Sequence, residues 1–224
     1  MEKLTLLELS KATLKRLVNL EERDLATLEW LQVDSISLTA EEQQQVQFVQ
    51  SRLHRYRAHL MNEATLWARV IYPLLGLAEQ GNIQAWAGVP LQAQYVHFEI
   101  EGIADGVLGK AAMDGIESPY LVVVETKRGV ENQNPLFQLY GQILAAAHIN
   151  WENNGKSPQE MFGCYTIADS WTFVRAEIDG FDSDKPTLQI EASREYSEPS
   201  EAPTILKILK GIVARHLHQT RSGE

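Results

Sequence analysis

A single cysteine, Cys164, stands among 224 residues, so the chain makes no internal disulfide and no multi-cysteine zinc cage. A chain of this length can bury a sufficient core without such staples, and a reducing, cytoplasmic setting is the expectation. Long apolar runs are missing as well. None reaches the roughly 18 residues of a membrane span, and the first ten residues carry Glu2 and Glu8 where a secretory leader carries basic side chains. Neither export nor membrane insertion is expected. Positive charge is scarce: 20 Lys and Arg against 30 Asp and Glu leave a formal charge of -10. That excludes a surface that coats nucleic acid indiscriminately, because such binding rests on cations neutralising phosphates. The sequence has no glycine-rich phosphate loop, nucleophile elbow or dinucleotide fingerprint. His216 and His218 are two apart, whereas helical zinc-binding pairs sit four apart.

The cations that are present are grouped. Arg52, Arg55 and Arg57 fall together with His54 and His59, and Lys207, Lys210, Arg215 and Arg221 outnumber Glu224 at the other end. Between Glu177 and Glu201, eight carboxylates face only Lys185 and Arg194.

Hydrophobic spacing then organises the chain. Leu4, Leu7, Leu14, Leu17 and Val18, followed by Leu25, Leu28 and Leu31, recur at intervals of three and four and predict helices with one buried stripe. Thr39-Ala-Glu-Glu42 is a capping box opening a helix expected to run to about Ala58. Asn62 to Thr65 continues it or caps a second helix carrying Leu66, Val70, Ile71, Leu74 and Leu75, with Pro73 within it or kinking it. Past Gly81 the period falls to two over residues 91–98, and Val107 and Leu108 lie between Gly106 and Gly109, a hairpin or meander pattern. Leu121-Val-Val-Val124 suits a strand buried on both faces. Asn134-Pro135 caps a helix through Leu136, Leu139, Ile143, Leu144 and Ala147. Strands are expected near 162–167 and 172–178, an edge strand at 188–192, and a closing amphipathic helix on Ile205, Leu206, Leu209, Ile212 and Leu217. The fold class is α/β, a mixed central sheet flanked by helices. Residues 1–59 are expected as an N-terminal helical extension and 60–224 as the core.

Glu125-Thr126-Lys127 is the most informative tripeptide. Alternate side chains of a strand share a face, so Glu125 and Lys127 point together directly after a buried run. Two charges there either mark the exposed end of the strand or pair and hold a ligand. Asp105, in Gly102-Ile-Ala-Asp-Gly106, is a carboxylate among small residues on an expected neighbouring strand, although Asp-Gly is also a common hairpin pair. Two carboxylates on adjacent strands, with the Thr126 carbonyl, form a hard-oxygen set suited to Mg2+ or Mn2+. A lysine beside them offsets charge developing on phosphorus.

Asp105, nineteen intervening residues, then Glu125-x-Lys127 after a valine run and before a helix, resembles the PD-(D/E)XK nuclease superfamily over roughly residues 60–178. The resemblance implies a restriction-endonuclease-like fold and phosphodiester hydrolysis with Mg2+ or Mn2+. It carries the family aspartate onto Asp105, the E-x-K acid and lysine onto Glu125 and Lys127, the first-helix acid onto Glu63, with Glu79 as the alternative, and the helix glutamine onto Gln138. Gln142 lies one turn further on the same face. Ala104 stands where the motif name has proline. The implied partner is DNA, with Arg52, Arg55, Arg69, Arg128, Lys207 and Lys210 as candidate phosphate contacts. A homodimer through the leucines of residues 1–38 and a separate targeting subunit are further expectations. The alternative from another class is a catalytically inactive module of the same fold that binds proteins or nucleic acid.

Overall fold

The computed structural model describes residues 1–23, 28–55, 57–127 and 134–222, without the side chains of the last four. In chain order the elements are β1 (Glu2–Thr5), α1 (Lys11–Leu17), β2 (Asn19–Glu22), α2 (Ala40–Leu53), α3 (Glu63–Leu66), a π-helical turn (Trp67–Ile71) and α4 (Tyr72–Leu77). There follow β3 (Ile83–Gln94), β4 (Phe98–Ala112), β5 (Gly115–Lys127), α5 (Pro135–Asn154), β6 (Gln159–Ile167), β7 (Ser170–Asp179), β8 (Thr187–Ser197) and α6 (Glu198–Ser222), the last broken at Glu201. The strands form one curled mixed sheet in the order β1-β4-β5-β6-β7-β8-β2, with β3 on the far edge of β4.

Helices cover both faces. Val122 and Val124 point with Leu66, Leu74, Ile205 and Leu209 into one core, shared by α2, α3, α4 and α6. Val123 points the other way, among Leu14, Leu139, Ile143 and Leu144 of α1 and α5. All three valines are fully buried, each stabilising the fold by about 1.5–3 kcal/mol. The capping signals act as expected: Glu42 N–H donates to Thr39 Oγ1 at 3.1 Å, Asn62 caps α3, and Asn134 caps α5 with Pro135 in its first turn. Pro73 lies at the start of α4, just after the π turn, where its missing N–H costs little.

The first segment departs from the helical expectation. Residues 2–5 form β1 and 19–22 form β2, and both belong to the main sheet. An N-terminal helical extension is therefore not observed: β1 runs parallel to β4 from Glu2↔Phe98 to Thr5↔Glu101, and β2 runs parallel to β8. A partner nearly a hundred residues away overrides a local three-four spacing. Of the leucine pattern that suggested a dimer surface, Leu14 and Leu17 lie on α1 and with Val18 are buried against the chain's own sheet and α5, Leu7 is exposed, and Leu25 lies outside the described residues. The remaining differences are smaller. α2 ends at Leu53 rather than near Ala58, residues 95–97 form a turn rather than continuing a strand, and β8 is covered by β2 and so is not an edge.

β4 carries the feature on which the site depends. β3 follows one of its edges in a single register from Gln94↔Glu99 to Ile83↔Lys110, with only Gly88 outside the paired residues. On the opposite edge β5 pairs with residues 106–112 and β1 with residues 98–101. Among the described residues no strand pairs with 102–105 on that side, so the sheet forks there. Trp67 packs at the fork on Gly106, where an added Cβ would lie 1.9 Å from the indole Cη2. Gly106→Ala is expected to lower stability by about 1–3 kcal/mol in chemical denaturation. Combining it with Trp67→Leu should cost less than the two single changes added together.

Candidate active site

The fork opens a cleft of about 840 Å³ lined by Glu63, Glu101, Asp105, Glu125, Lys127, Gln138 and Gln142 among others. Each side chain arrives by a simple rule. Asp105 and Val107 share the face of β4 that looks towards α5, and Glu125 and Lys127 share with Val123 the same face of β5. Thr126 takes the opposite face, and its amide points sideways across the fork. There the Asp105 carboxylate accepts it at 2.6 Å, where a continued ladder would have offered a β4 backbone partner. A strand residue directs its N–H and C=O to the same edge, so the Thr126 carbonyl also faces the fork.

Glu125 is almost fully buried and held at both oxygens: Lys127 Nζ stands 3.0 Å from Oε1, and Gln142 Nε2 donates to Oε2 at 2.5 Å. Glu125-x-Lys127 is thus not a solvated strand end, and Asp105-Gly106 is mid-strand rather than a hairpin turn. Gln138 lines the cleft, buried, and neither its Oε1 nor the buried Gln142 Oε1 has a partner among the described residues. The glutamine that touches Glu125 is Gln142; Gln138, one turn earlier, faces the open volume. Glu63, exposed at the start of α3, borders the cleft and acts electrostatically on both Asp105 and Lys127. Glu79 accepts the Ala85 amide at 2.9 Å and does not line the cleft.

The charges are under tension. Burial, then the neighbouring Asp105 carboxylate, push Glu125 up to about 7 against the pull of Lys127. Burial also raises Asp105, against the stabilising Thr126 amide and Lys127 and with Glu63 adding to the rise. Lys127 is raised, because its carboxylate neighbours outweigh its own desolvation. Among the described residues four carboxylates and one ammonium line the cleft, an excess of negative charge that a cation would relieve. Among the described residues no group of three or more His, Cys, Asp or Glu side chains is disposed to hold a metal ion. Mg2+, however, is held by one or two carboxylates with water and substrate phosphate completing its shell. The pair Asp105 and Glu125 with the Thr126 carbonyl fits that demand, as do two unpartnered amide oxygens beside them.

One wall went unforeseen. Thr5, the last residue of β1, and Leu6 and Leu7 after it also line the cleft. Leu6 approaches Gly102 and Gly141 so closely that a Cβ on either would lie under 3 Å from it, at 2.6 and 2.8 Å. The two glycines are the available sequence signal for that close packing. Arg128 lies outside the described residues. No protein-family model matches this chain, and a search of curated proteins finds no match.

A raised carboxyl makes stability pH-dependent. Between about 4.5 and about 7 folded Glu125 keeps a proton that the unfolded chain releases, so stability is full below that window and falls as pH rises through it. Asp105 and Glu198, both raised by burial, contribute with the same sign. Glu125→Gln should remove a part on the order of 3 kcal/mol from the pH 4.5-to-7 loss, read by urea denaturation without divalent metal. Gln142 can offer its free Oε1 to the new amide.

Proposed function

We propose that this chain is a phosphodiesterase dependent on Mg2+ or Mn2+, acting on DNA, with a restriction-endonuclease-like fold of the PD-(D/E)XK type. The observation that carries the reading is the convergence of Asp105, Glu125 and Lys127 on one cleft, flanked by Glu63 and by Gln138 and Gln142 from the helices beside it. The order of elements around it supports the fold. A helical run ending at Leu77 precedes the antiparallel meander β3-β4-β5, then α5, then β6 parallel to β5. Asp105 sits on the second strand of that meander, the E-x-K on the third, and the glutamines on the next helix, as the resemblance implies.

Asp105, Glu125 and the Thr126 carbonyl would hold the ion. When bound, it supplies Lewis acidity towards the scissile phosphate. Glu125 must then be ionised, and a cation in the cleft reverses the repulsion that keeps it protonated. Gln142 fixes the Glu125 carboxylate in rotation through Oε2, leaving its electron pairs aimed at the cleft. Lys127 remains cationic, tethered at Oε1, and can orient an attacking water or offset negative charge on the transition state. Gln138 offers an unpartnered buried oxygen to a water in the same space. No side chain need form a covalent bond to substrate.

Cleavage of plasmid, linear, branched and single-stranded DNA should require Mg2+ or Mn2+. Asp105→Asn, Glu125→Gln and Lys127→Ala should each lower it by about 10²-fold or more. Mn2+ at 100 times its Kd should stabilise the fold by about 2.7 kcal/mol, a rise in Tm of roughly 5 °C or more that Asp105→Asn abolishes. Neither cleavage nor a Tm shift at millimolar metal would instead support the non-catalytic module.

A further inference from the structure

Among the described residues the cleft lining holds one cation and four carboxylates, a balance that repels a polyanion, so a grip for a nucleic-acid substrate is to be sought elsewhere. The arginines divide sharply on this point. Arg16 grips Glu2, Arg23 and Arg175 grip Glu191, Arg194 grips Glu201, Arg215 grips Glu160, and Arg69 is engaged as well. Lys210, a candidate phosphate contact by sequence, is paired with Glu42. Arg52, Arg55 and Arg57 are all exposed, and among the described residues none of them holds a carboxylate. In a chain with net charge -10, three neighbouring arginines without an acidic partner form a concentrated positive patch.

The described residues of the patch are tied to the core. Leu53 and Ala58, buried in the core, anchor it from within. Arg55 N–H donates to the Arg52 carbonyl and Leu60 N–H to the Arg57 carbonyl. Arg52 lies over the ring of Phe48, 5.1 Å from its centroid, and Phe48 and Leu60 are themselves 59% and 66% exposed. Guanidinium groups beside an exposed aromatic ring are the means by which proteins hold a phosphate backbone and stack a base. The patch is also close to the cleft in sequence, since Asn62 caps the helix that begins with Glu63, a residue of the cleft lining. Arg57 is six residues from Glu63, at most about 22 Å along an extended chain, or roughly six phosphates of one B-DNA strand.

We infer that the surface formed by Phe48, Arg52, Arg55, Arg57 and Leu60 is a nucleic-acid docking surface, with the three arginines on consecutive phosphates, which delivers the strand to the Glu63 side of the cleft. The inference rests on the proposed function only for the delivery; binding itself needs no catalysis. The test is the anisotropy of a fluorescein-labelled 20-mer, single-stranded and duplex, titrated with the full chain in EDTA between 50 and 200 mM NaCl. Arg52→Gln, Arg55→Gln and Arg57→Gln together should weaken binding at 50 mM salt by at least roughly 10²-fold and flatten the slope of log K against log salt by about 2 to 3. Lys15→Gln, Lys156→Gln and Lys185→Gln together remove the same charge from exposed sites elsewhere and should leave the slope within about 1 of the original. Each single arginine change should lower the slope by about 0.7–0.9, which keeps the test informative if the triple variant is unstable. Equal losses in the two triple variants, an unchanged slope, or no binding by the original chain at 50 mM salt would overturn the inference. So would patch-dependent binding to vesicles of phosphatidylserine and phosphatidylcholine with none to the oligonucleotides. Oligonucleotide binding that persists while every cleavage assay fails would sink the catalytic reading and keep this one.

Discussion

The hydrogen bond from the Thr126 amide to the Asp105 carboxylate, 2.6 Å across the fork, is the interaction from which the rest of the site follows. A sheet that simply continued would consume that amide in the β4–β5 ladder and leave no opening. A sheet that opened without a substitute acceptor would bury an unsatisfied N–H, at about 1–3 kcal/mol. Asp105 resolves the conflict by supplying the acceptor from its side chain, and in doing so it is drawn next to Glu125. The structural role and the chemical potential of this aspartate are thus one arrangement.

The consequence is electrostatic. Two carboxylates held close in a half-dry cleft cannot both be comfortably ionised, and Lys127 with the Gln142 amide compensates only in part, as the high pKa of Glu125 records. The cleft therefore carries an electrostatic cost that added positive charge would relieve, which is what the proposed function draws on. The acidic cleft and the exposed arginines at and after the end of α2, which hold no carboxylate among the described residues, are complementary in charge, the first proposed for a small cation and the second for an extended anion.

β1 and the turn after it give the cleft a wall belonging to this chain's own elaboration. They lie on the edge of β4 that β5 vacates, and Leu6 fills the space left by the missing side chains of Gly102 and Gly141. The cleft is therefore closed on one side by a segment distant in sequence from every charged group that lines it except through the sheet.

Much was legible from residues alone because the signals were local. The valine run of β5, the caps at Thr39, Asn62 and Asn134, and the shared face of Glu125 and Lys127 depend on neighbours within a few positions. The grouping of Arg52, Arg55 and Arg57 was equally plain, although whether acids neutralised them was not. Misreadings arose where the deciding partner was remote: β1 and β2 took leucine spacings that suit a helix and became strands because Phe98 to Glu101 and Thr187 to Ile190 offered open edges. Sequence by itself determined an α/β chain with Asp105 and Glu125-x-Lys127 on expected neighbouring strands and a glutamine-bearing helix to follow. Only the tertiary structure decided that the sheet forks at Asp105, that Gln142 rather than Gln138 holds Glu125, and that β1 walls the cleft. Strand pairing at long range is selected by the global competition for backbone hydrogen bonds and buried surface, which no local pattern encodes.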